Sequence, residues 1–321
     1  MRGKRRKERM ILKNATLHIG NGEVFQGDMR IADGKIVEVG KNINGDESRS
    51  LNGKHVFPGF IDSGNFLGAQ DMAFFAKDYN ENSNPVTPYL DIWHSIDPDE
   101  LSLQELYKAG ITSMLVTPGN EGILGGTCTV VKTKGKNIHK ITVKRDAAMK
   151  ASMTSEVIRV FSGKGSPQTP MALIAMLKTA LQTTEYANDY RSQRTKEVMD
   201  AVREGRMPIL VACETAPEME RFLEATKEYT KMKIIFTLSY EADRCADAIK
   251  KRGAAVVLGD TSRNATHLVH RMDFAKLMNM AEDGTKVGLT VLGPNMAWGR
   301  EMLLWNASKL MQTCTNSEEI V

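Results

Sequence analysis

Cys213 and Glu214 stand together at the end of the apolar run Pro208 to Ala212, and a thiol beside a carboxylate offers a nucleophile with a base. The same neighbour opposes the chemistry, because a carboxylate raises a thiol's pKa and no histidine lies nearby in sequence to counter it. His267 and His270 are spaced to share one face of a helix, where two imidazoles could begin a metal site; a solvent-facing pair is the plainer alternative. Asp62, Asp243 and Asp260 are carboxylates that could crowd one pocket. Asp243 opens a helical segment, where an acid is explained by the helix dipole, so Asp62 is the better pocket acid. Gly119-Asn120-Glu121-Gly122 and Gly125-Gly126 form a glycine-rich loop, but the GxxxxGK[ST] and GxGxxG spacings of a phosphate cradle are absent.

These residues need elements to position them. Ile11 to Ile19, Asp28 to Ala32 and Lys35 to Val39 read as short strands, and Asp33-Gly34 leaves room only for a tight type I′ hairpin turn between the last two. After a polar stretch around Asn44 to Asn52 the pattern changes to apolar strands alternating with amphipathic helices, the signature of βα units around a parallel sheet. Strands are expected at Val56 to Asp62, Ile111 to Val116, Thr127 to Lys132, Ile141 to Lys144, Pro208 to Ala212, Lys233 to Thr237, Ala254 to Leu258 and Lys286 to Val291. Helices are expected at Leu101 to Ala109, Pro170 to Thr183, Arg194 to Arg203, Pro217 to Tyr229, Ala242 to Lys251, Phe274 to Glu282 and Arg300 to Met311. Gly253 after Lys250-Lys251-Arg252 marks a helix C-terminus by charge and by glycine placement. The methionines from Met272 to Met280 have helical spacing and read as core or interface packing.

A chain of 321 residues, 41% hydrophobic and 26% charged, fits a large globular core with a small second domain and excludes a fibrous architecture. The formal charge of +4 owes much to Arg2, Lys4, Arg5, Arg6, Lys7 and Arg9, read as a solvated leader over 1–10 or a start codon placed too early; neither nucleic acid nor membrane is expected as a partner. No secretory signal follows it, and no apolar run approaches the roughly 20 residues of a membrane-spanning helix. The four cysteines lack C-x-x-C spacing, which favours reduced thiols and a cytoplasmic location. His18, His55, His94 and His139 read as structural or surface residues.

Phe57-Pro58-Gly59-Phe60-Ile61-Asp62-Ser63-Gly64-Asn65-Phe66-Leu67-Gly68 resembles the Pro-Gly-Phe-Ile-Asp-x-His-x-His-Leu-Gly signature that opens the barrel of the amidohydrolase superfamily. Asn80 to Pro88, Ala109 to Ser113, Pro118-Gly119 and Gly125-Gly126-Thr127 extend the likeness over nearly the whole chain, and bring it nearest the imidazolonepropionase-related branch. The resemblance implies a (β/α)8 TIM-like barrel over 57–321 and a small N-terminal β-sandwich subdomain over 11–56. It also implies a hydrolase of carbon–nitrogen bonds other than peptide bonds, with zinc or another divalent metal as cofactor.

The ligands that such chemistry needs are replaced. Gly64 and Phe66 stand where the first histidine pair belongs. The acid or modified lysine of strand four falls at Ser155, with Lys150 or Glu156 taking its place after a small slip. Cys213 and Glu214 occupy the strand-five end, Leu238 lies in the strand-six region, and Leu292 stands for the aspartate of strand eight. Hydrogen, phenyl and alkyl groups carry no lone pair for a cation, and without a metal, bound water keeps a pKa near about 15.7. The expectation is therefore a pseudoenzyme with no metal cofactor: a scaffold, regulatory subunit or small-molecule binder whose pocket is lined by Gly64, Phe66, Ser155, Cys213, Glu214, Leu238 and Leu292. The alternative is an active C–N hydrolase of cyclic amides with a non-standard metal or nucleophile set drawn from Asp62, Cys213, Glu214 and Asp243. The family's C-terminal sandwich strands are absent before Val321, so a homo-oligomer or partner chain is expected to cover the incomplete β subdomain; a truncated reading frame gives the same ending.

Overall fold

The computed structural model describes residues 9–45, 47–70, 77–259, 272–291 and 302–312. The chain divides into two compact units, one running through Phe60 and the other from Ile61 to Thr315.

In the first unit, strands β1 (Arg9–His18), β2 (Val24–Ala32), β3 (Lys35–Gly40), β4 (Ser48–Ser50) and β5 (His55–Val56) form one mixed sheet. Both β1–β2 and β2–β3 are antiparallel, whereas β4 and β5 each pair parallel with β1. The β2–β3 turn is the expected hairpin, with Asp33 at φ 52° and Gly34 at φ 74°, the two positive values that a type I′ turn needs. Ala15, Leu17 and Met29 make the core, with Leu12, Phe25, Ile31, Leu51 and Val56 packed on it. Asp28 accepts from Asn14 N and Ile43 N, each at 3.0 Å, and so pins the bulge of β1 to the loop after β3. Among the described residues these five strands form a single sheet. Its β3 edge exposes Ile36, Val37 and Val39.

The second unit is built on an eight-stranded sheet whose spatial order follows the chain: β6 (Phe60–Asn65), β7 (Ile111–Val116), β8 (Leu124–Lys132), β9 (Thr142–Ser152), β10 (Ile209–Ala212), β11 (Ile234–Thr237), β12 (Ala255–Leu258) and β13 (Val287–Leu289). From β9 to β13 every pairing is parallel. Strand β8 departs from the regular (β/α)8 expectation, because it pairs antiparallel with both β7 and β9. The reason is connection length: a parallel return needs a crossover of a dozen residues or more, and residues 117–123 are too few. In the same way only residues 133–141, with the short helix α2 (Ile138–Ile141), link β8 to β9.

Helix α1 (Leu101–Lys108) precedes β7, and α3 (Ser155–Phe161), α4 (Pro170–Gln182) and α5 (Tyr190–Arg203) fill the connection from β9 to β10. Helix α6 (Ala216–Ala225) starts in a capping box between Thr215 and Glu218, and α7 (Ala246–Arg252) ends at Gly253, whose φ of 65° is the left-handed cap expected there. The expected helix at Ala242 to Lys251 is split, beginning as a 3₁₀ turn over Ala242–Cys245 that holds Asp243. Helices α8 (Phe274–Glu282) and α9 (Met302–Met311) follow. Met278 and Met280 of α8 are buried, in line with a packing role. None of the helices described is long and apolar enough to cross a membrane.

Packing explains the two-layer wall. Phe222 of α6 meets Phe236 of β11 edge to face, with centroids 6.0 Å apart. Cys128, Ala148 and Leu210 form a second cluster with Leu115 and Ile235, so that β7 to β11 share one apolar layer. Each large side chain buried in this way contributes about 1.5–3 kcal/mol.

Strands β6 and β13 are the two ends of the ladder, and side chains join them. The Asp62 carboxyl is wholly buried and receives Gly64 N at 2.9 Å, Thr290 Oγ1 at 2.9 Å and Val291 N at 2.7 Å. Thr290 Oγ1 also lies 2.7 Å from Gly64 O, so its single proton is shared between that carbonyl and the Asp62 carboxyl. The approach is close: a Cβ at Gly288 would sit 2.8 Å from Ser63 Oγ.

Candidate functional site

In a barrel of this kind, chemistry belongs at the C-terminal ends of the strands, where Gly64, Phe66, Lys150, Cys213, Glu214 and Leu238 are found. Gly64 lies at φ 152°, a backbone that side-chain-bearing residues rarely adopt. A Cβ there would meet Leu210 Cδ2 and Thr117 Cγ2 at 3.4 Å, ordinary contact distances, so the obstacle to a histidine is the backbone more than the space. Phe66 stacks on Tyr79, with ring centroids 3.9 Å apart and planes 19° from parallel. The Tyr79 hydroxyl is pushed up to about 12 by burial and by the charges of Glu121 and Glu156, so it stays protonated.

Strand four of the sheet carries Lys150, the alternative to Ser155 after a small slip in the resemblance. Lys150 is 1% exposed, and its Nζ donates to Asn120 Oδ1 and, at 3.2 Å, to Ala151 O. Both acceptors are uncharged, and burial pulls the ammonium down to about 8. The signal for it was present in the sequence as a lone lysine inside Ala147-Ala148-Met149-Lys150-Ala151, where no solvent-facing alternation explains a charge. Ser155, by contrast, is exposed at the start of α3.

At the fifth strand Cys213 is completely buried, and its N–H donates to Thr237 O at 3.0 Å. Burial, reinforced by the carboxylates of Glu218 and Glu214, pushes its thiol well above the usual range, the opposite of what an activated nucleophile requires. The Glu214 carboxyl is raised by burial, then by Glu218 and Glu156. Glu218 Oε2 accepts Glu214 N at 2.7 Å and Thr215 N at 3.1 Å, which commits it to the helix cap. Glu121, in the glycine-rich loop, is raised by burial and by Glu156, whereas Glu156 itself is lowered by its hydrogen bond from Arg159. Carboxyls with raised pKa beside an ionised one can hold and exchange protons, the raw material of general acid–base work.

Leu238 follows β11 directly at φ 59°, a left-handed conformation that costs a non-glycine residue about 1–2 kcal/mol. Tyr240 N donates to Leu238 O at 2.8 Å and closes that tight turn, and Glu241 Oε2 accepts Ala216 N at the head of α6. Asp62 is spent on the barrel seam. Burial raises its carboxyl pKa, and its backbone and side-chain hydrogen bonds oppose the rise. Asp243 lies in the 3₁₀ turn, its carboxyl raised by burial. Leu292, Asp260, His267 and His270 lie outside the described residues.

A divalent metal needs lone pairs converging within about 2.0–2.3 Å. No group of three His, Cys, Asp or Glu side chains among the described residues is placed to supply them. A glycine, a stacked phenyl ring, a cationic amine and a leucine do not fit a metal at the strand ends where they stand.

No family profile matches the sequence. No curated protein matches it either. Solved structures do: an amidohydrolase from Thermotoga maritima MSB8 superposes with a TM-score of 0.85 at 21% identity, over 97% of this chain and 85% of that one. An uncharacterized metal-dependent hydrolase from Pyrococcus furiosus is matched over 97% of this chain and 92% of that one, at 12% identity and a TM-score of 0.48. The chain has an amidohydrolase-like fold.

Proposed function

We propose that this protein is a pseudoenzyme of the amidohydrolase superfamily, which keeps the barrel as a scaffold or small-molecule binder without building the transition-metal centre. What carries this reading is the donor set: Gly64 at φ 152°, Phe66 stacked on Tyr79, and Lys150 with uncharged partners where ligands would be required. The affinity to the imidazolonepropionase-related branch rests on the sequence blocks from Asn80 to Thr127. A second chain along the exposed β3 edge is part of the same proposal, supported by Ile36, Val37 and Val39.

Metal content after growth with zinc, manganese and iron tests the central claim. The expected result is far less than one ion per chain and no turnover of cyclic amides. One tightly held ion per chain, lost together with a hydrolytic activity, would overturn it. A metal-free C–N hydrolase is the second reading, favoured by the raised carboxyl of Glu214 beside Glu156. It requires an activity that Glu214→Gln abolishes.

A further inference from the structure

His18 and His55 belong to the first unit, where they form a close pair of metal-binding donors. His18 Nε2 and His55 Nδ1 are 2.8 Å apart. Strand pairing places them there: Thr16 of β1 is the parallel partner of His55 in β5, and His18 lies two residues on, on the same face by the period of two. That face is opposite the one bearing buried Ala15 and Leu17, so both rings are reachable from water. Phe57 stacks on the His18 ring with centroids 4.0 Å apart and planes 19° from parallel, which limits its rotation.

We propose that His18 and His55 form a two-imidazole chelate for a square-planar divalent ion, copper(II) ahead of nickel(II) and zinc. The 2.8 Å separation is that of an imidazole–imidazole hydrogen bond, and it also equals the spacing of adjacent ligand atoms about 2.0 Å from a square-planar ion, whereas a tetrahedral set needs them spread to roughly 3.3 Å; among divalent ions, imidazole donors favour copper(II) by affinity. Binding therefore needs the lone pairs to turn toward one point while the strands stay in place. If His18 is the donor in the present contact, its proton moves from Nε2 to Nδ1, and both rings remain neutral with no net proton released. Water completes the coordination, so this is an exchangeable surface site and not a structural one.

The test is titration of the untagged full-length protein with copper(II) alone, followed by calorimetry and electron paramagnetic resonance. Wild-type protein is expected to bind one equivalent with nitrogen coupling from two imidazoles, and nickel(II) and zinc more weakly. His18→Ala and His55→Ala should each weaken copper binding at least tenfold, and the double variant should lose little more, because either loss breaks the chelate. Metal-free thermal unfolding of the single variants, expected within a few degrees of wild type, separates loss of a ligand from loss of the sheet. Copper binding unchanged in either single variant, coupling from one nitrogen only, or no binding below millimolar metal would overturn the proposal.

Discussion

Lys150→Met asks whether a charge is stored inside the barrel wall. With a pKa of about 8 in the fold against an ordinary 10.5, the ammonium costs the folded state about 3 kcal/mol at neutral pH. The sign follows from proton counting. Below pH 8 both states hold the proton, so the penalty is constant; from about pH 8 to 10.5 the unfolded chain holds more protons, and stability rises with pH until the penalty is gone. Methionine has a similar shape without the charge, but it leaves the Asn120 amide oxygen and the Ala151 carbonyl short of a donor, at about 1–2 kcal/mol. The variant is therefore expected to be more stable than wild type by about 1–2 kcal/mol at pH 7, and no more stable, or less so, at pH 10.5. Urea unfolding of both proteins at half-unit intervals from pH 7 to 10.5 measures this, and the other lysines and tyrosines cancel in the difference. Parallel stability curves would refute the reasoning, since they would mean that Lys150 titrates alike in both states.

Three more outcomes are expected. Asp62→Asn should destabilise the fold by about 2–3 kcal/mol, because either amide orientation sets an NH2 group against Gly64 N–H or Val291 N–H; chemical denaturation reads it. Because the folded Asp62 pKa is raised, its contribution is fully present below the unfolded value of 3.8 and is lost as pH rises through the folded one, so the wild-type advantage should be largest in acid. Cys213 should resist iodoacetamide in the native protein at pH 8 and react only on unfolding, as followed by mass spectrometry of the peptide. Gly64→Ala should cost about 1–2 kcal/mol in urea unfolding from backbone strain, since the contacts around the new methyl are ordinary.

The alternation of apolar strands and amphipathic helices was legible because each βα unit writes its own period, and nearly every expected strand lies within a few residues of its place. The direction of β8 was not, although the shortness of residues 117–123 was there to be measured against a crossover. The single sheet of the first unit was not legible either. Apolar alternation shows that a strand has a buried face, not which layer covers it, and β4 is exposed throughout its three residues. At the barrel mouth, the replaced ligand positions could be read from residue type alone. The roles of Asp62 and Lys150 could not, since both depend on partners far away in sequence, and the His18–His55 contact arises from two strands with three further strands between them in the chain.

The Asp62 seam also sets an order of events. Its partner Thr290 lies 228 positions further along the chain. At synthesis rates of about 5–20 residues per second, a ribosome needs roughly 10–45 s to travel from one to the other. For that interval the first barrel strand has no neighbour on its outer edge, and the carboxylate destined for the dry interior remains hydrated. The antiparallel β7–β8–β9 ribbon is complete long before, and gives the nascent chain a local platform on which the waiting edge can be held until the last strand arrives.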